Sequence, residues 1–123
     1  MNLLLDTHVL LWWDEGRRIS AEARQAIEEA DTVYVSAASA WEIAIKTGLG
    51  RLRPTRTVDE AVRESGFLEL PITFLHAQRL TALPTHHRDP FDRLLVAQAE
   101  VEELTLVTRD PVFAGYQLPV IVA

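Results

Sequence analysis

The sequence predicts an α/β fold: a short parallel β-sheet flanked by helices on both faces. Two observations carry that prediction. Five short runs rich in apolar and β-branched residues alternate with segments that read as helices. The first of them, Leu3-Leu4-Leu5, is apolar throughout rather than alternating with polar residues, the mark of a strand buried on both faces. With no internal repeat, low-complexity tract or linker, residues 1–123 are expected to form one domain.

Leu3-Leu4-Leu5 opens the chain as a buried strand ending at Asp6. Ser20 to Ala30 is a polar helix with Ser20 as its N-cap. Thr32 to Val35 is the second strand, and it leads into a helix over Ala37–Thr47, capped by Ser36 and stopped by Gly48. Thr57-Val58-Asp59-Glu60 has the form of a capping box and opens a helix to about Ser65. Phe67–Leu70 reads as a strand, and Thr73–Leu83 as a helix stopped by Pro84. Asp89-Pro90 begins a helix running to about Glu102, followed by strands at Thr105–Val107 and Val120–Val122.

The composition narrows the function. Hydrophobic residues make up 48% of the chain, enough for a packed core, yet no apolar run is long enough to span a bilayer. The N-terminus lacks a basic n-region and carries Asp6 where a signal peptide is apolar, so a cytoplasmic protein is expected. The absence of cysteine excludes disulfides, thiolate metal sites and cysteine nucleophiles. A net charge of −6 weighs against a nucleic-acid partner, but eleven of the twelve basic residues are arginine, whose fork suits phosphate.

The acids are the informative residues. Asp6 and Asp110 each follow an apolar strand and so fall at strand carboxyl ends, the ligand-binding edge of open parallel sheets. Connecting helices start at that same edge, which places Asp92 in a first turn and Glu42 early in its helix there. Asp6 is the only charged residue from Met1 to Trp13 with His8 neutral, and Glu42 the only one from Val33 to Ile45. Carboxylates gathered in apolar surroundings repel one another, and a hard divalent cation, magnesium or manganese, resolves that repulsion. Each acid also has a plainer use. Asp6 and Asp110 suit turns, Glu42 can pair with Lys46, Asp92 can serve the helix dipole, and Asp89 before Pro90 reads as an N-cap. The plainer uses do not explain why the acids converge.

Four segments in series resemble one family: Leu4-Leu5-Asp6-Thr7-His8; Ser36 to Leu49 with Trp41-Glu42-Ile43 and Lys46; Arg88-Asp89-Pro90-Phe91-Asp92-Arg93 through Ala99; and Leu106-Val107-Thr108-Arg109-Asp110. Together the chain resembles the PIN-domain toxins of bacterial toxin–antitoxin modules, the VapC type. The resemblance implies a three-layer sandwich on a parallel sheet and a magnesium-dependent endoribonuclease, restrained by an antitoxin partner and forming homodimers and toxin–antitoxin hetero-oligomers. It also implies catalytic roles for Asp6, Glu42, Asp92 and Asp110, with Asp6 and Asp92 as direct metal ligands. Asp89 is then an additional acid, and Thr7, Ser39 or Thr108 supply hydroxyls near the site.

The mechanism so implied is in-line attack of a metal-activated water on an RNA phosphodiester, giving a 3′-hydroxyl and a 5′-phosphate. Arg93 and the loop bearing Arg51, Arg53 and Arg56 are expected to contact phosphate. Leu10-Leu11-Trp12-Trp13 is either core packing or, through Trp12 or Trp13, part of a groove for an amphipathic antitoxin segment. A zinc site at His86-His87 is disfavoured, because adjacent loop residues seldom share one ion. A phosphoacceptor receiver domain would need an aspartate ending its middle strand, where this chain has Glu69-Leu70-Pro71, and a lysine near Thr108-Arg109. A haloacid-type phosphatase would need an aspartate at His8. A non-catalytic RNA-binding module stays open as the third alternative.

Overall fold

The structure is a computed structural model, and it describes residues 1–85 and 88–123. His86 and His87, and with them the zinc reading, lie outside the described residues. Five strands form one parallel sheet: β1 (Asn2–Leu5), β2 (Thr32–Ser36), β3 (Leu68–Leu70), β4 (Thr105–Thr108) and β5 (Val120–Val122), in the order β3-β2-β1-β4-β5. Among the described residues six α-helices accompany them: α1 (Thr7–Asp14), α2 (Ala21–Glu29), α3 (Ala37–Gly48), α4 (Val58–Glu64), α5 (Phe74–Arg79) and α6 (Pro90–Glu102).

Burial on both faces explains the apolar central strands. In β1, Leu3 and Leu5 enter one core with Val9, Leu10, Ile27 and Ile43, while Leu4 points into a second core with Leu95, Val96, Leu106 and Phe113. All three leucines are fully buried, each stabilising the fold by roughly 1.5–3 kcal/mol relative to exposure. The sheet is thus the middle of three layers, as expected.

Local signals set most boundaries. Ser20 accepts a bond from the Ala23 amide, Ser36 from Ala38, and Thr57 with Glu60 forms the complete capping box. Three expectations are corrected. Gly48 does not stop α3; it is the last helical residue, and the chain turns at Gly50, whose φ of +73° favours glycine. The helix expected over Thr73–Leu83 is α-helical only to Arg79 and tightens into a 3-10 turn at Leu80–Ala82 before Pro84. Helix α1, which the sequence reading left unassigned, begins immediately after β1.

The strand order fixes where a site can form. From β1 the chain passes outward through β2 to β3, then returns across β1 to β4 and β5. The direction therefore reverses between β1 and β4, and in open parallel sheets the crevice at such a reversal binds ligands.

Candidate active site

A cleft of about 400 Å³ opens at that reversal, and five carboxylates line it: Asp6, Glu42, Asp89, Asp92 and Asp110. Asp6 follows β1 directly, its amide donating to the Val107 carbonyl at 3.0 Å and so extending the ladder to β4. Asp110 lies two residues beyond β4, Glu42 sits midway along α3, and Asp89 and Asp92 occupy the start of α6. A larger hollow of about 750 Å³ beside α6 has two acids on its wall, and one of them, Glu100, is ion-paired with Arg79 at 2.5 Å.

The buried acids are held by hydroxyls. Asp6 stands at the N-cap of α1 but makes no side-chain capping bond. Its Oδ2 instead accepts from Thr108 Oγ1 at 2.7 Å, and Thr108 Oγ1 accepts from the Asp110 amide at 3.1 Å. Burial pushes the Asp6 carboxyl above its ordinary range, outweighing the Thr108 bond that pulls it down. Glu42 Oε1 lies 2.8 Å from Thr7 Oγ1, which lies 2.9 Å from Ser39 Oγ. Thr7 has one proton to give, so it donates to the Glu42 carboxyl oxygen and accepts a hydrogen bond from the Ser39 hydroxyl. The second oxygen of Glu42 meets Lys46 Nζ at 2.6 Å, so the plainer pairing also occurs, between a buried carboxylate and a partly exposed ammonium.

Asp92 is in the least comfortable setting. Burial first, then the charges of Asp89, Asp6, Glu42 and Asp110, push its carboxyl up to about 7. Asp89 is indeed the N-cap of α6, accepting from the Phe91 and Asp92 amides at 2.9 and 3.1 Å. Asp110 likewise caps the 3-10 turn Pro111–Gly115 through the Val112 amide. For both, the plain structural use and a place on the cleft wall coexist.

The cations divide differently from expectation. Arg93 does not line the cleft; its guanidinium donates to the Pro84 and Leu80 carbonyls at 2.9 and 3.3 Å. Arg56 bonds Asp14 at 2.6 and 2.8 Å and also pairs with Glu64, holding α1, its own loop and α4 together. Both guanidinium groups thus serve as structural ties in this arrangement. Arg51 and Arg53 line a separate hollow beside the cleft. Lys46 and Arg109 are the cations of the cleft wall, and His8 and Trp12 complete it. The Arg109 guanidinium lies 4.0 Å from the Trp12 ring centroid and donates to the Ala123 and Arg18 carbonyls, so it is fixed in place. The sequence reading gave Arg109 no role, and only its position after a strand end could have suggested one. Trp13 packs instead against Phe67 at 5.9 Å under Arg24, which favours the core-packing reading for that residue.

The donor set fits a hard divalent cation. It is all oxygen, it carries more negative than positive charge, and the strain on Asp92 is what a bound cation relieves. Among the described residues no three acids already stand close enough to grip one ion together. Magnesium tolerates this, since it keeps several waters and needs only one or two direct carboxylates.

A parallel α/β sandwich with an acid-lined cleft at its reversal point defines the class, and sequence comparison agrees. The model of the PIN domain matches residues 3–117, and the chain belongs to the PIN-domain family. It is 36% identical to Ribonuclease VapC22 of Mycobacterium tuberculosis over 95% of this chain and 93% of that protein. Among solved structures it resembles a toxin–antitoxin complex from Klebsiella pneumoniae (TM-score 0.68, 26% identity, 98% of this chain and 96% of that one). VapBC2 of Rickettsia felis, bound to a DNA fragment from its promoter, shares the fold at TM-score 0.70 and 16% identity, covering 99% and 98% of the two chains.

Proposed function

We propose that the protein is a magnesium-dependent endoribonuclease and the toxin of a toxin–antitoxin module. The observation that carries the reading is the five-acid cleft in a chain 36% identical to a named ribonuclease. Asp6 and Asp92 would hold the ion, with manganese as an alternative occupant. When bound, the metal lowers the pKa of a water and offsets charge on the phosphodiester. Thr108 fixes the Asp6 carboxylate from the β4 side. Glu42, held by Thr7 and Lys46, and Asp110, which follows β4, would orient water in the cleft. Asp89 adds negative potential at the mouth while capping α6. Hydrolysis leaves a 3′-hydroxyl and a 5′-phosphate.

The antitoxin partner follows from the named complex at 26% identity. Partner chains also have apolar surface to cover: Trp41 and Ile45 of α3 and Leu49 just past its end are exposed at four-residue spacing, and Phe74 and Leu75 are exposed at the start of α5. We extend the proposal to homodimers and toxin–antitoxin hetero-oligomers on those surfaces, and to residues 1–123 acting as one nuclease domain. Among the described residues, no helix is long and apolar enough to cross a membrane, in keeping with an enzyme that works on RNA in the cytoplasm.

The test is Asp6→Asn assayed on RNA in magnesium and in EDTA. Cleavage should fall on the order of 10²–10³-fold, with the fold intact by circular dichroism. A variant that cleaves at the wild-type rate ends the proposal.

A further inference from the structure

We propose that the hollow of about 260 Å³ beside the cleft is a phosphate subsite that grips single-stranded RNA flanking the scissile bond, an inference that rests on the ribonuclease reading. His8 and Trp12 line both spaces, so a chain lying across the Trp12 edge passes from one to the other without leaving the surface. The two spaces have opposite charge. The cleft is dominated by acids, whereas the hollow presents Arg17, Arg51 and Arg53 against the single acid Glu15.

These arginines differ from the others of the region. Arg56, in the same loop, is committed to Asp14 and Glu64, and Arg17 pairs with Glu15 at 3.0 Å. Arg51 and Arg53 are exposed and have no carboxylate partner among the described residues. Exposed guanidinium groups without partners can offer both arms of the fork to a phosphate. Their loop is nevertheless fixed: the Arg51 and Leu52 amides both donate to the Lys46 carbonyl, and Leu52 packs on the core. The loop therefore grows directly from the residue whose ammonium holds Glu42.

Charge favours such a subsite. An acid-lined cleft repels the phosphates on either side of the one being cut, and its own cations are occupied, Lys46 with Glu42 and Arg109 with Trp12 and two carbonyls. The phosphates flanking the scissile one gain most from cations outside the cleft, and the hollow is where uncommitted positive charge adjoins it.

The experiment compares wild type with the double variant Arg51→Ala/Arg53→Ala on an oligoribonucleotide in magnesium over a range of KCl concentrations. The double variant should raise KM about tenfold with kcat unchanged, and the slope of log KM against log salt should fall by about 1.4, the value for two phosphates lost on a single strand. The Arg51→Lys/Arg53→Lys protein should recover most of KM, because charge is kept while the fork is lost. A dinucleotide confined to the cleft should be cut equally well by all three. Fluorescence anisotropy of a labelled oligoribonucleotide in EDTA makes the same comparison without turnover, so failure of the ribonuclease reading is seen separately from failure of the subsite. Equal KM and equal salt slopes for wild type and the alanine variant overturn the subsite. So does a variant that loses affinity only for a protein partner.

Discussion

Replacing Asp92 by Asn should make the metal-free protein more stable while removing its activity. The Asp92 carboxyl ordinarily titrates near 4, and the cleft holds its proton to about 7. Ionising it in the folded state would cost about 4 kcal/mol if the group were wholly buried. It is only partly buried, so solvent screening reduces the figure to roughly 2 kcal/mol. Between about pH 4 and 7 the folded protein keeps a proton that the unfolded chain has released. Stability therefore declines as pH rises through that window and levels off above it. Asp92→Asn removes the cost, so in EDTA the variant should exceed wild type by about 2 kcal/mol at pH 8 and match it near pH 4. Saturating magnesium should reverse the order at pH 8, since a ligand at a hundred times its Kd adds about 2.7 kcal/mol to the protein that binds it. Urea denaturation followed by tryptophan fluorescence measures all four states; the chain has three tryptophans. Identical unfolding curves for the two proteins at pH 8 in EDTA would refute the account of a crowded acid cleft.

Two further perturbations test the supports of the site. Lys46→Met leaves Glu42 buried without its cation and should cost about 1–2 kcal/mol, less than the loss from a wholly buried pair because Lys46 is partly exposed. Adding Glu42→Gln should restore stability in urea melts without restoring cleavage. His76→Ala attacks a different support. The ring is fully buried, Nδ1 accepts from the Thr73 amide at 3.0 Å, and Nε2 therefore carries the proton and donates to Glu102 at 2.7 Å. Its removal opens a cavity and strands polar groups, so urea melts should show a loss of about 2–4 kcal/mol, with kcat per folded molecule unchanged.

Much of this architecture could be read from particular residues. Asp89-Pro90 announced a helix start, Thr57 through Glu60 a capping box, and the apolar run at Leu3–Leu5 a strand covered on both sides, because each is a local rule that the fold did not override. The acids could be placed on one edge because strand direction alone decides which end of the sheet they reach. What escaped was set by partners far along the chain. Arg56 and Arg93 look like free cations in the sequence, and only folding brings Asp14, Glu64 and the Pro84 carbonyl to them. His76 gave no sign of its burial, since Glu102 and Gln98, which satisfy its ring, are on α6. Helix α1 was hidden because a run of bulky apolar residues over four positions fits strand and helix alike.

The bond from Thr108 to Asp6 joins residues 102 positions apart. One wall of the cleft is therefore translated 102 residues before the other. A nascent chain halted between α3 and β4 has Asp6 and Glu42 but neither Thr108 nor Asp110, so the cleft is incomplete on such a partial product. For a nuclease, synthesis order is itself a safeguard: a copy truncated before β4 lacks part of the cleft, and an inhibitor has work to do only once Asp110 has been made.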